Sequence, residues 1–192
     1  MNRYERMAEQ YRPSPVKLLL IGESPPFTEA ADMAQVPYFY NARWVCNQRD
    51  ALLRETAKVI LGRHVCIDSE PTKHGVLSEL KEKGVFLIDA VEQPFKKGLG
   101  RRQRRAAIDD GIPRLLSRIK QLNPRQIIIV LTRVYDIIYD RLETEGLRPV
   151  PVRVPSPWAA KRDGLGYKDK LREALLYKRS QGHAAALHQR SL

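Results

Sequence analysis

Apolar and polar positions along the chain form two recurring patterns, short apolar runs and longer stretches with helical periodicity. The apolar runs predict buried strands at residues 16–21, 85–88, 126–131 and 150–154. The helical spacing of apolar residues predicts helices at residues 41–61, 78–83, 106–122, 134–145 and 168–177. Gly62 and Gly146 stand where two of these helices are expected to end.

Strands that alternate with helices favour an α/β fold with three layers. We expect a mostly parallel sheet of roughly four strands, covered by helices on both faces. The chain has 192 residues, enough for one core, and we predict a single domain at residues 1–178. Residues 179–192 are polar and basic, which predicts a flexible tail.

The formal net charge of +12 favours a polyanionic partner such as DNA, because each phosphate contact releases counterions. A basic surface without such a partner is the alternative. Residues 1–14 lack the apolar segment of a signal peptide, and no run reaches the ~18 apolar residues of a membrane span. We therefore expect a cytoplasmic monomer that does not enter a membrane.

Metal and cofactor chemistry finds no support in the cysteines and histidines. Cys46 and Cys66 lie far apart and belong to no Cys-x-x-Cys pair, and the four histidines share no metal-ligand spacing. We expect no metal site and no cofactor.

Ligands of a parallel sheet bind at the carboxyl ends of its strands, so the residues after each strand are the candidates. These segments are residues 22–26, 89–91, 132–133 and 155–158. The first reads Gly-Glu-Ser-Pro-Pro. A Gly-x-Ser triplet can mark the nucleophile elbow of a serine hydrolase, but that motif requires a glycine where Pro26 stands.

Three of these segments resemble motifs of the uracil-DNA glycosylases. Residues 22–26 are similar to the first motif of three branches, GQDPY, GEAPG and GMNPG, and Met-Ala-Gln-Val-Pro-Tyr at residues 33–38 resembles its continuation in the single-strand-selective branch. Residues 84–91, GVFLIDAV, resemble the GVLLLNAV strand. Residues 154–158, VPSPW, resemble the HPSP motif and its wedge residue. The resemblance spans roughly residues 16–176 and implies this fold and hydrolysis of the glycosidic bond of a flipped DNA base.

The resemblance implies roles for the first motif and for an aromatic side chain. Tyr38 stands at the position that stacks on the base, with Phe39 and Tyr40 as competitors. Glu23 and Ser24 occupy the water-activating loop. Serine can orient a water but is a weak base, whereas Glu23 is the only carboxylate of the motif. A capping or solvent-facing role for Glu23 is the alternative.

Two departures from the family pattern predict an altered base preference. Asp89 replaces the Asn that reads uracil, and an ionised carboxylate can only accept hydrogen bonds, which suits an exocyclic amine and repels uracil O4. Asp89 could instead pair with Arg133. Val154 replaces the His that donates to the leaving base, at an expected cost of about 3–4 kcal/mol in transition-state stabilisation.

DNA contacts are predicted for the second motif and for a basic segment. The resemblance implies contacts from Ser156, Lys161 and the wedge residue Trp158, which could alternatively be a core residue. Residues 96–105 contain Gly98 and Gly100 and favour a mobile loop that follows phosphates, or else a merely solvated loop. Its candidate contacts are Arg101, Arg102, Arg104 and Arg105.

Three functions remain open from these residues. The first is a glycosylase-like enzyme with an altered base preference. The second is a DNA-binding module of the same fold without catalysis. The third is a domain that acts on a nucleoside or another small molecule.

Overall fold

Three parallel strands form the centre of the computed structural model, which describes residues 1–45, 50–158 and 165–177. The strands are β1 (Leu18–Gly22), β2 (Val85–Asp89) and β3 (Gln126–Ile129), and their order in the sheet is β2-β1-β3. The register pairs Gly22 with Asp89 and Ile21 with Ile129. The carboxyl ends of all three strands therefore lie at one edge of the sheet.

Six α-helices surround the sheet within the described residues. They are α1 (Arg3–Glu9), α2 (Ala51–Leu61), α3 (Glu70–Glu82), α4 (Arg101–Leu122), α5 (Thr132–Thr144) and α6 (Tyr167–Leu176). The chain crosses from β1 to β2 through α2 and α3, and returns from β2 to β3 through α4. Right-handed crossovers in opposite directions pass over opposite faces, which gives the three predicted layers. Helix α5 packs against α4, and α6 packs against α2.

The strands form where the sequence supplies apolar residues that must be buried on both faces. Leu19, Leu20 and Ile21 of the central strand are fully buried, as is Ile128 of β3. Gly62 and Gly146 follow α2 and α5 with left-handed φ angles of 68° and 74°, so both predicted helix ends are confirmed.

The predicted fourth strand at residues 150–154 is not a strand. One bridge joins Val154 to Val130, and the Val150 N–H donates to the Ile127 carbonyl at 2.8 Å. Pro149, Pro151 and Pro155 have no N–H to donate, so a continuous ladder cannot form. The segment lies alongside β3 without extending the sheet.

Four helices begin away from the positions that the apolar spacing indicated. Helix α2 starts at Ala51 instead of residue 41, and α3 starts at Glu70 instead of residue 78. Helix α4 starts at Arg101 instead of residue 106, so half of the predicted loop at residues 96–105 is helical. Its first turn is capped because the Gln103 Oε1 accepts the Gly100 N–H at 3.0 Å. Helix α1 was not predicted, although Asn2 and Glu5 form a capping box at its start. Among the described residues, no helix combines the length and apolarity needed to cross a membrane.

Candidate functional site

A cavity of about 190 Å³ opens at the carboxyl edge of the sheet. Its wall is formed by the ends of β1 and β2, the turn from β3 into α5, and two further loops. It is smaller than the ~300–1,000 Å³ of sites for drug-sized ligands, so its size suits a single ring. Six residues that the sequence analysis selected line it: Glu23, Ser24, Tyr38, Phe39, Asp89 and Trp158.

Strand pairing brings the first two motifs together. The Ala90 N–H donates to the Gly22 carbonyl and the Val91 N–H to the Glu23 carbonyl, each at 3.0 Å, so the pairing continues past the strand ends. A Cβ atom at Gly22 would lie 2.6 Å from Asp89 Oδ1. Glycine at this position therefore allows the Asp89 carboxyl to approach the backbone of β1.

The Glu23 carboxylate is buried, with 7% of the residue exposed, and two guanidinium groups converge on it. Arg133 donates a hydrogen bond to Oε2, and Arg104 Nη1 lies 3.9 Å from the same oxygen. Burial raises the pKa of Glu23, while Arg133 and Arg104 oppose the increase. The sequence alternative that paired Arg133 with Asp89 is wrong, because Arg133 binds Glu23.

Asp89 has an unusual protonation equilibrium. Burial raises the pKa of its carboxyl to about 7; the neighbouring Arg118 lowers it and the charge of Glu23 raises it. Arg118 donates to the main-chain carbonyl of Asp89, at 3.1 Å. At neutral pH the carboxyl is therefore partly protonated, and the protonated form can donate as well as accept. The base preference predicted from the sequence therefore applies only to the ionised form of Asp89.

The three consecutive aromatic residues at 38–40 divide between cavity and core. Tyr38 and Phe39 line the cavity. The Tyr38 ring packs edge-on against Tyr4, with centroids 5.0 Å apart. Tyr40 turns into the core, where its hydroxyl accepts the Leu87 N–H at 2.6 Å and donates to the Leu87 carbonyl at 3.1 Å. Tyr38 and Phe39 thus remain the aromatic candidates for contact with a bound ring.

A buried lysine supports this part of the cavity wall. Lys73 of α3 is fully buried, and its Nζ lies 2.6 Å from Asp50 Oδ2. The same ammonium donates to the main-chain carbonyls of Trp44 and Tyr38, at 2.9 and 3.3 Å. It therefore ties the aromatic segment to the start of α2. This role could not be predicted from the sequence, because a lysine within a helix normally faces solvent.

The second motif supplies the cavity rim through Trp158, which is 60% exposed. The Ser156 Oγ accepts the Trp158 N–H at 3.2 Å, which shapes this loop. Val154 is fully buried and is not part of the cavity wall, so its side chain does not face a ligand there. Lys161 lies outside the described residues.

The four arginines at the start of α4 have different surroundings. Arg101, Arg102 and Arg105 are exposed. Arg104 lies over the Phe95 ring, with its guanidinium carbon 5.5 Å from the centroid, and donates its Nε–H to the Leu99 carbonyl. Only Arg104 among these four reaches a residue of the cavity wall, and contact with DNA stays a prediction for all of them.

The turn from β3 into α5 positions Arg133 through a strained residue. Leu131, which lines the cavity, has φ 87° and ψ 109°, a conformation that costs a branched residue about 1–3 kcal/mol. Its carbonyl accepts the Val134 and Tyr135 N–H groups at 2.9 and 3.1 Å, which starts α5. The sequence placed Arg133 after a strand but gave no sign of its partner.

Comparison with protein-family models matches residues 9–176 to the Uracil DNA glycosylase superfamily. No curated protein matches the chain, and no solved structure matches it. The family match covers both motif loops and the three strands that carry them, and it begins at the last residue of α1.

Proposed function

Since the chain belongs to the Uracil DNA glycosylase superfamily, we propose that it hydrolyses the N-glycosidic bond of a base flipped out of DNA, with an altered base preference. The observation that carries this proposal is the meeting of two carboxyl groups with two aromatic rings in a ring-sized cavity. Glu23 and Asp89 follow paired strands, and Tyr38 and Phe39 line the same space.

The reaction needs a water held at the sugar and a charge balance in the transition state. The bond between C1′ and the base nitrogen breaks, its electrons leave with the base, and a water oxygen bonds to C1′. In this proposal Ser24 orients the water and Glu23 accepts its proton. A buried carboxylate suits this role because its raised pKa makes it a better base than a surface glutamate.

Asp89 is proposed to select the base by its protonation state. Above a pH of about 7 its ionised carboxylate accepts from an exocyclic amine, as on a cytosine-type ring. Below this pH its protonated carboxyl can also donate to a carbonyl oxygen such as uracil O4. We therefore expect keto bases to be processed better at pH 6 than at pH 8.

The test is single-turnover cleavage of labelled single-stranded oligonucleotides, each carrying one uracil or one amino-bearing modified pyrimidine. Glu23→Gln should slow cleavage ~100-fold or more, as expected for loss of a general base. Glu29→Gln, an exposed glutamate of the same loop, is the matched control and should leave the rate unchanged. Asp89→Asn should raise uracil cleavage at pH 8 and remove its dependence on pH between 6 and 8. Rapid uracil cleavage by the wild type at pH 8 would contradict the role of Asp89.

A non-catalytic DNA-binding module is the second candidate, and a specific contact favours it. Arg133 already occupies Oε2 of Glu23, which opposes proton transfer to that oxygen. The buried Val154 adds no hydrogen-bond donor for a leaving base. Folded protein that binds every one of these oligonucleotides and cleaves none would support this candidate over the enzyme.

A further inference from the structure

Two partly exposed arginines share a single carboxylate oxygen at the edge of the cavity. The Arg133 side chain is 59% exposed and the Arg104 side chain 37%, whereas that of Glu23 is 8% exposed. Two cations and one anion leave an excess positive charge here. A guanidinium group carries five N–H donors, so one bond to Glu23 leaves Arg133 with donors directed elsewhere.

The surroundings hold both guanidinium groups in place. Arg104 is fixed by its Nε–H bond to the Leu99 carbonyl and by its position over the Phe95 ring. Arg133 stands in the first turn of α5, where the helix dipole adds positive potential. Guanidinium groups held in this way are suited to phosphate, which they can bind through two parallel hydrogen bonds.

The position relative to the cavity indicates which phosphate would bind. Arg133 lines the same cavity as Asp89, and a ring bound there keeps the rest of its nucleotide at the cavity mouth. We infer that Arg133 and Arg104 form a phosphate subsite for the flipped nucleotide, and that Glu23 occupies these arginines until the phosphate arrives. This inference rests on the proposed function, because it assumes that a nucleotide enters the cavity.

The subsite makes phosphate and Glu23 competitors for Arg133. A phosphate that takes up the Arg133 donors frees the Glu23 carboxylate, and the loss of this cationic partner increases its basicity. Phosphate binding and activation of the general base are then one event. A nucleoside without phosphate would bind without freeing Glu23.

The experiment measures binding instead of cleavage. The probes are single-stranded oligonucleotides with one 2′-fluorinated pyrimidine nucleotide, which keeps its base because the fluorine slows cleavage of the glycosidic bond. Its flanking phosphates are natural or are replaced one at a time by neutral methylphosphonate. The two tryptophans of the chain, Trp44 and Trp158, both line the cavity, so their emission reports occupancy. All titrations use one fixed salt concentration, because phosphate contacts depend on salt.

For wild-type protein, one flanking methylphosphonate should weaken binding ~10-fold or more, the loss expected for one charged hydrogen bond. Arg133→Ala should weaken binding of the natural oligonucleotide similarly and should no longer respond to that methylphosphonate. Arg141→Ala, an exposed arginine of the same helix, is the control and should behave like the wild type. Glu23→Gln should bind the natural oligonucleotide several-fold more tightly, because it removes the competitor.

Two results would overturn the subsite: Arg133→Ala that responds to every methylphosphonate as the wild type does, or Glu23→Gln that binds no more tightly. If Arg133→Ala does not fold, Arg133→Lys replaces it in the test. Lysine keeps the positive charge but cannot form the two parallel hydrogen bonds with phosphate, so binding should still weaken. If the protein cleaves none of the oligonucleotides but Arg133→Ala and Glu23→Gln change binding as expected, the proposed enzyme is rejected and the subsite is retained. If the protein cleaves but these two variants do not change binding as expected, the subsite alone is rejected.

Discussion

Replacement of Asp89 by Asn should change how the stability of the protein depends on pH. In the folded protein the Asp89 carboxyl has a pKa of about 7, because desolvation and the charge of Glu23 outweigh the opposing effect of Arg118. An aspartate in an unfolded chain has a pKa of about 3.9. An asparagine of nearly the same shape stays neutral at every pH and removes this difference between the two states.

The sign and size of the effect follow from proton linkage. Below pH ~4 both states of the wild type hold the proton, so Asp89 contributes no pH dependence. Between pH ~4 and about 7 the unfolded chain loses the proton while the folded protein keeps it, so wild-type stability falls as pH rises. Above about 7 the penalty is constant at ~4 kcal/mol, from 1.36 kcal/mol for each pKa unit.

Denaturant unfolding from pH 4 to pH 8 measures this penalty directly. The free energy of unfolding of Asp89→Asn, relative to the wild type, should rise by up to ~4 kcal/mol over this range and level off above pH 7. Asp110→Asn, an exposed aspartate of α4, is the matched control for the loss of a carboxyl group. A difference between Asp89→Asn and the wild type that stays constant from pH 4 to pH 8 would refute the raised pKa and the base selection derived from it.

Two further variants test the frame of the cavity by the same unfolding assay. Lys73→Met should lower the free energy of unfolding by ~3–5 kcal/mol, because it leaves the buried Asp50 carboxylate without the Lys73 ammonium. The double variant Lys73→Met with Asp50→Asn should recover part of this loss. Equal stability of Lys73→Met and the wild type would contradict this role of Lys73. Gly22→Ala should cost ~1–3 kcal/mol, since its Cβ would lie 2.6 Å from Asp89 Oδ1, and this cost should shrink in an Asp89→Ala background. The same cost in both backgrounds would exclude this contact as the cause.

The sheet could be predicted from the sequence because its strands are apolar on both faces. Runs such as residues 18–21 and 85–88 are short and wholly apolar, which is typical of strands in a sheet that is covered on both faces. The convergence of Glu23 and Asp89 then follows from parallel pairing. The predicted fourth strand is wrong. Apolar residues alternate at residues 150–154 as in a strand, but the three prolines prevent a continuous ladder of hydrogen bonds.

The remaining contacts of the site depend on tertiary position, which the local sequence pattern does not predict. Lys73 looks like an ordinary helix-surface residue, and only the packed structure buries it against Asp50. One alternative from the sequence paired Arg133 with Asp89, but Arg133 follows the turn at Leu131 and its side chain reaches Glu23. The partial protonation of Asp89 comes from burial and from the charge of Glu23. The identity of a residue in the sequence shows neither its burial nor its charged neighbours.

The prolines beside β3 have a consequence for how the molecule meets other copies of itself. A strand at the margin of a sheet exposes unpaired N–H and C=O groups, which can recruit a strand from another chain and start aggregation. Here β3 is the marginal strand on one side, and the segment with Pro149 and Pro151 runs along it. This segment covers the margin, yet its prolines supply no N–H groups to a further strand. The irregular backbone that carries Trp158 to the cavity rim therefore also makes the β3 edge a poor template for a strand of another chain.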